Sequence, residues 1–163
     1  MGTRAEIKAF HQLMRLMGGA REGDMSPAEE PIVEPQSERG PVILVAEDEV
    51  MIRLGIAEHL REAGFTVVEA VNGQEARAVL EAGVAIDLVF SDIDMPALDG
   101  IGLAQWMLMH QPATPVVLTS GLAAALATAK TACPHVKAFV NKPYVYEAVT
   151  ETMRAIVSQR AKR

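Results

Sequence analysis

The stretch VILVAEDE, residues 42–49, joins an uninterrupted apolar run to three consecutive acids. An apolar run of this length, without polar alternation, is typical of a strand that is buried on both faces in a parallel sheet. Because the acids follow the run directly, they are expected at the carboxyl end of that strand. The stretch therefore predicts a parallel sheet that carries carboxylates at one edge.

Apolar runs and amphipathic segments alternate from there to the end of the chain. Further strands are predicted over 65–70, 88–90, 116–119 and 136–140, and helices over 51–63, 73–82, 101–110, 122–132 and 144–159. In the last helix, Val145, Val149, Ile156 and Val157 are expected to face inward. The connections are too long for hairpins, so the strands are expected to be parallel, with helices on both faces of a doubly wound α/β sheet.

The composition changes near residue 40, and two segments are predicted before it. Residues 1–23 contain a basic amphipathic stretch with apolar residues at helical spacing, which predicts a short helix. Residues 24–40 are rich in proline and acids, which disfavours regular structure and predicts a flexible linker. Residues 41–163 form the predicted globular domain. Two roles stay open for the helix: a frayed tail, or a segment that docks on the domain or on a partner.

The composition argues against several classes of function. The net charge is −6 and aromatic residues make up 4% of the chain, so nucleic-acid binding is not expected. The single cysteine, Cys133, leaves no internal disulfide and no cysteine cluster for zinc. The start of the chain does not resemble a secretory signal, and the uncharged stretch 100–129 is interrupted by His110, Pro112 and Pro115. We therefore expect a cytoplasmic protein without stable membrane insertion.

Reactive side chains follow the predicted strands. Glu47 and Asp48 follow the first strand, Asp92 the third, Ser120 the fourth and Lys142 the fifth. In a doubly wound sheet, functional groups collect at these carboxyl ends. Clustered carboxylates repel one another and need a cation, and oxygen ligands suit Mg²⁺. A hydroxyl and an ammonium beside them are the groups that bind a phosphoryl oxygen, so this edge predicts phosphoryl transfer to a carboxylate.

Four motifs at these strand ends resemble the receiver domain of two-component response regulators. They are VAEDE (45–49), SDIDMPALDG (91–100), LTSG (118–121) and FVNKP (139–143), in that family's order and at similar spacing. The resemblance covers residues 41–160. It implies a flavodoxin-like sheet of five parallel strands in the order 2-1-3-4-5, with five helices. It also implies that a histidine kinase or a phosphotransfer protein donates the phosphoryl group.

The resemblance carries the acceptor and the metal ligands onto named positions. Asp92 matches the aspartate that accepts the phosphoryl group. Glu47 and Asp48 match the acidic pair that holds Mg²⁺ together with Asp92. The backbone carbonyl of Asp94 matches the remaining protein ligand.

The resemblance also assigns the groups that respond to the phosphoryl group. Ser120 matches the switch hydroxyl, with the neighbouring Thr119 as the weaker candidate. Lys142 matches the phosphate-binding lysine, and Pro143 the proline that often follows a cis peptide bond in this family. Phe139 matches the switch aromatic, where the family often has tyrosine.

These assignments predict a single-domain response regulator that signals by protein binding. No output domain is recognised after the receiver, so a downstream protein effector or self-association is expected at the face of the fourth helix, fifth strand and fifth helix. The chain is not expected to be an enzyme beyond its own phosphorylation and dephosphorylation on Asp92.

Two alternatives remain at this point. One is a phosphate sink or shuttle that binds no effector. The other is a phosphatase of the haloacid dehalogenase type, because Asp92-Ile93-Asp94 resembles that family's Asp-x-Asp signature. Against the second, that family carries the signature at its first strand, whereas here an acidic pair comes first.

Overall fold

The computed structural model describes residues 40–161, in which strands and helices alternate. The strands are β1 (Val42–Ala46), β2 (Thr66–Ala70), β3 (Leu88–Asp92), β4 (Val116–Ser120) and β5 (Ala138–Asn141). The helices are α1 (Val50–Glu62), α2 (Gly73–Glu81), α3 (Gly100–His110), α4 (Ala123–Ala132) and α5 (Tyr146–Ala161). The helix predicted in residues 1–23 and, apart from Gly40, the linker predicted in 24–40 lie outside the described residues. Among the described helices, none has the length and apolar character needed to cross a membrane.

The five strands form one parallel sheet in the order β2-β1-β3-β4-β5. The predicted flavodoxin-like order is therefore confirmed. The register pairs Ala46 with Ser91 and Asp92 with Thr119. Because Glu47 follows Ala46 directly, the register brings Glu47 and Asp92 level with each other at the carboxyl edge.

Two apolar clusters cover the two faces of the sheet. The α2–α4 face contains Leu44, Val89, Leu118, Leu103 and Leu126. The α1–α5 face contains Ile43, Phe90, Val117, Ile56 and Met153. Adjacent residues of a strand point to opposite faces, so the continuous apolar runs of β1, β3 and β4 supply both clusters. The central strands are thus held on both sides and position the residues that follow them.

The start of the last helix differs from the prediction. Val145 was expected to face inward, but it is 66% exposed because α5 begins only at Tyr146. Helical spacing therefore does not apply to Val145. Tyr144 packs inward instead, with its ring centroid 5.6 Å from that of Phe90. The other predicted positions face the core as expected, namely Val149, Ile156 and Val157.

Candidate functional site

Three carboxylates meet at the carboxyl edge of the sheet. Glu47, Asp48 and Asp92 each place one carboxylate oxygen within 4.8 Å of the others. Glu47 and Asp92 are buried, with 2% and 4% of their surface exposed, and Asp48 is more accessible. Like charges this close repel one another, and an all-oxygen donor set suits a hard divalent cation. The residues present therefore fit Mg²⁺.

Lys142 joins two of these carboxylates. Its Nζ lies 2.8 Å from Oε2 of Glu47 and 3.0 Å from Oδ2 of Asp92. Burial lowers the pKa of the Lys142 ammonium, but the hydrogen bonds to Glu47 and Asp92 and the negative charges of these carboxylates together outweigh burial and raise the pKa overall. Burial raises the pKa of the Glu47 carboxyl; the hydrogen bond from Lys142 opposes this increase only in part, and the charge of Asp92 adds to it. Lys142 is therefore a charged group held at the site.

Arg53, in the second turn of α1, fixes the backbone at Glu47. Its Nη1 donates to the carbonyl oxygen of Glu47 at 2.7 Å, and its Nε lies 3.5 Å from Oε2 of Glu69. The backbone N–H of Glu47 donates to the carbonyl of Ala70 at 3.1 Å. Sequence analysis did not single out Arg53. The available signal was a basic residue in the helix that begins directly after the acids.

Tyr144 is a second residue that sequence analysis missed as part of the site. Its hydroxyl oxygen lies 2.9 Å from Oγ1 of Thr119 and 3.4 Å from Oε2 of Glu47. Burial raises the pKa of Tyr144 far above its ordinary value, and the charges of Glu47 and Asp92 add to this effect, so the phenol stays protonated. The signal that could have found it is a tyrosine directly after the Lys142-Pro143 pair, whose peptide bond is cis.

Ser120 lies on the other side of the same strand end. It is fully buried, its Oγ donates to Oδ2 of Asp94 at 2.8 Å, and the backbone N–H of Leu122 donates to this Oγ at 2.9 Å. Phe139 pairs with Leu118 in the sheet and packs in the cluster of the α2–α4 face. The parity of strand residues places Ser120 on that same face and Thr119 on the opposite one.

The loop after Asp92 is held by the start of α3. Asp99 caps the helix: its side chain accepts from the backbone N–H of Gly102 at 2.6 Å. A Cβ atom at Gly100 would collide with the backbone carbonyl of Asp92. The absence of a side chain at Gly100 therefore allows the helix to begin directly against the end of β3.

We predict that Gly100→Ala lowers the free energy of unfolding by about 2 kcal/mol, because the added methyl group displaces the backbone at Asp92. Urea denaturation measures the loss. Gly121→Ala is the matched control, since a Cβ there meets no atom within 4 Å. Equal stability of the Gly100→Ala protein and the wild type would contradict the close packing of α3 on β3.

Comparison with known proteins identifies the class to which this fold and this carboxylate cluster belong. Residues 43–154 match the family model of the response regulator receiver domain. The chain therefore belongs to the receiver domain family of two-component signalling. Receiver domains are in general signalling modules rather than enzymes.

Individual relatives and solved structures agree with this family. The transcriptional regulatory protein PdtaR of Mycobacterium tuberculosis is 46% identical over 79 residues, and the sensor kinase CckA of Brucella abortus is 29% identical over 118 residues. The crystal structure of a receiver protein from Sinorhizobium medicae is similar with a TM-score of 0.67 at 28% identity, covering 74% of this chain and 97% of that one. The receiver domain of the hybrid histidine kinase CckA gives a TM-score of 0.60 at 31% identity, covering 71% of this chain and 98% of that one.

The two curated relatives are longer than the matched region. The alignment covers 48% of this chain and 38% of PdtaR, and 72% of this chain and 12% of CckA. The similarity thus concerns the receiver part of those proteins.

Proposed function

We propose that this chain works as a response regulator that accepts a phosphoryl group on Asp92 from a histidine kinase or a phosphotransfer protein. The observation that carries the proposal is the setting of Asp92: a buried carboxylate at a strand end, 3.0 Å from the Lys142 ammonium and beside two further acids. Labelling of the wild-type chain and of Asp92→Asn by a phosphorylated kinase tests it.

The residues around Asp92 suit a nucleophilic role. Oδ1 accepts from the backbone N–H of Ile93 at 2.9 Å, and Oδ2 faces Lys142, so the carboxylate is held in one orientation. In the proposed step, a carboxylate oxygen forms a bond to phosphorus as the P–N bond of the phosphohistidine breaks, and the electron pair stays on the imidazole nitrogen. Lys142 then binds one phosphoryl oxygen through a charge-assisted hydrogen bond.

The metal is proposed to be held by the carboxylates of Glu47, Asp48 and Asp92 and by the backbone carbonyl of Asp94. When bound, Mg²⁺ supplies positive charge that offsets the negative charge on the phosphoryl oxygens. Arg53 anchors the backbone of Glu47 from α1. This contact holds the backbone of the acidic pair in place beside Asp92.

Ser120 is proposed as the switch hydroxyl and Phe139 as the switch aromatic. The support is that Ser120 and Phe139 lie on the same face of the sheet, whereas Thr119 points to the opposite face and its hydroxyl contacts Tyr144. A movement of Ser120 toward Asp92 would therefore affect the packing of Phe139 on the same face of the sheet.

We also propose that α1 carries the surface that binds the donor. Val50, Met51 and Leu54 are 54%, 80% and 48% exposed, and they lie in the first turns of the helix that follows the acidic pair. An exposed apolar patch beside a reactive site is typical of a protein-binding surface.

We predict that Met51→Glu slows phosphoryl transfer from a phosphorylated protein donor at least about tenfold, since a charge is placed in the apolar contact. Labelling by acetyl phosphate should change by less than about twofold, because the small donor does not need the surface. Met109→Glu is the matched control, because Met109 is 77% exposed near the end of α3. Equal slowing by the two substitutions, or slowing with both donors, contradicts the assignment.

We propose that the phosphorylated domain passes on its signal by binding another protein in the cytoplasm. The face of α4, β5 and α5 includes Phe139 and the exposed small residues Ala123, Ala124 and Ala127, which give an effector or a second copy a low-relief contact surface.

Pull-downs with phosphorylated and unphosphorylated protein distinguish this role from the phosphate sink or shuttle, which would bind no effector in either state. The phosphatase alternative has little support, because Asp92 lies at the end of β3 rather than of β1 and the chain matches the receiver family.

A further inference from the structure

The hydroxyl of Ser120 is hydrogen-bonded to a carboxylate other than that of Asp92. Its Oγ donates to Oδ2 of Asp94 at 2.8 Å and accepts from the N–H of Leu122 at 2.9 Å. Among the hydrogen bonds of the described residues, none joins Ser120 Oγ to Asp92 or Lys142. The hydrogen bond between Ser120 and Asp94 is therefore separate from the contacts that Lys142 makes with Glu47 and Asp92.

The backbone on both sides of this contact is anchored. The N–H of Ile93 donates to the carbonyl of Thr119 at 2.8 Å, and the N–H of Gly100 donates to the carbonyl of Ile93 at 3.0 Å. The apolar neighbours of Asp94 are buried, with Ile93 4% and Met95 8% exposed. Asp94 is thus presented to Ser120 by a fixed turn that is tied to β4.

A serine hydroxyl has a single proton to donate. It can donate to Asp94 or to a phosphoryl oxygen on Asp92, but not to both. Hydrogen bonds to an ionised carboxylate are stronger than those between neutral groups. The Asp94 contact therefore competes directly with the phosphoryl group for Ser120.

We propose that the Asp94 side chain is a positioning residue that holds the Ser120 hydroxyl away from the phosphoryl site, so that phosphorylation must break this hydrogen bond. The inference rests on the proposed function of Asp92 and Ser120. It makes the Asp94 side chain a determinant of how readily the phosphorylated conformation forms.

A double-mutant cycle tests this role. The affinity for beryllofluoride, a phosphoryl mimic, is measured by thermal stabilisation in Mg²⁺ for the wild type, Asp94→Ala, Ser120→Ala and the double variant. Asp94→Ala should bind about tenfold more tightly than the wild type, because the competing hydrogen bond is lost. In the Ser120→Ala background, the same substitution should change the affinity by less than about twofold.

Two further variants separate the hydrogen bond from simple charge. Asp94→Asn keeps an acceptor oxygen but removes the charge, so its affinity should lie between those of the wild type and Asp94→Ala. Glu49→Gln removes an exposed charge from the loop after β1, where the side chain makes no cap hydrogen bond. It is expected to change the affinity by no more than about twofold.

The outcomes are distinguishable. Equal tightening by Asp94→Ala in both backgrounds, or tightening by Glu49→Gln of the same size, overturns the competition between Asp94 and the phosphoryl group. If circular dichroism shows that Ser120→Ala is unfolded, Ser120→Cys replaces it, since a thiol is a weak donor. A wild-type chain that neither binds beryllofluoride nor becomes labelled on Asp92 removes the proposed function, and this inference with it. Wild-type binding without coupling overturns the inference alone.

Discussion

Asp92→Asn is expected to abolish phosphoryl labelling of the chain. The amide is close in size to the carboxylate, so the packing at the end of β3 is retained, but the amide is not a nucleophile. Labelling by a phosphorylated kinase and by acetyl phosphate, both in Mg²⁺, measures the effect. We expect no label on the variant with either donor.

The control for this result is a carboxylate at the opposite edge of the sheet. Asp87 accepts from the backbone N–H of Val42 and contacts Arg160, and Asp87→Asn keeps an acceptor oxygen there. Asp87→Asn should be labelled at the wild-type rate. If Asp92→Asn were labelled as strongly as the wild type, the phosphoryl acceptor would have to be another residue.

Lys142→Met is expected to destabilise the protein by about 3 kcal/mol at neutral pH. The substitution leaves two buried carboxylates, Glu47 and Asp92, without the cation that lies 2.8 and 3.0 Å from them. Millimolar Mg²⁺ should stabilise the variant more than the wild type, since a bound cation offsets the same negative charge. Urea denaturation with and without Mg²⁺ measures both effects.

Lys137→Met is the control for the loss of a lysine, because Lys137 is exposed just before β5, at the other edge of the sheet. It should alter the unfolding free energy by no more than about 0.5 kcal/mol. A loss of similar size in the two variants, or a loss in Lys142→Met that Mg²⁺ does not reduce, would show that Lys142 does not balance the acidic cluster.

The fold could be predicted from the sequence because its buried strands are continuous apolar runs. The run 42–46 is buried on both faces as an apolar stretch of that kind requires, and the strand order follows the family that the motifs resemble. The proximity of Glu47, Asp48 and Asp92 follows from the rule that parallel strands end at the same edge. None of this depends on which way an individual side chain turns.

The contacts that the sequence did not reveal do depend on side-chain direction. Tyr144 and Glu47 are 97 positions apart, and Ser120 and Asp94 are 26 apart. Such pairs are set by the exact start of α5 and by the turn after β3, which residue spacing does not determine. The same uncertainty at a helix start explains why Val145 was wrongly expected to face inward.

At the end of β4, the adjacent hydroxyl groups of Thr119 and Ser120 point to opposite faces of the sheet and have different neighbours. Thr119 shares its face with Tyr144, Glu47 and Lys142, the side that neutralises charge. Ser120 shares the opposite face with Phe139, the side that leads to α4. Substitutions on the Thr119 face should therefore act mainly through the charge balance around Asp92. Substitutions on the Ser120 face should change both how tightly the phosphoryl group is bound and how its presence is passed on to α4.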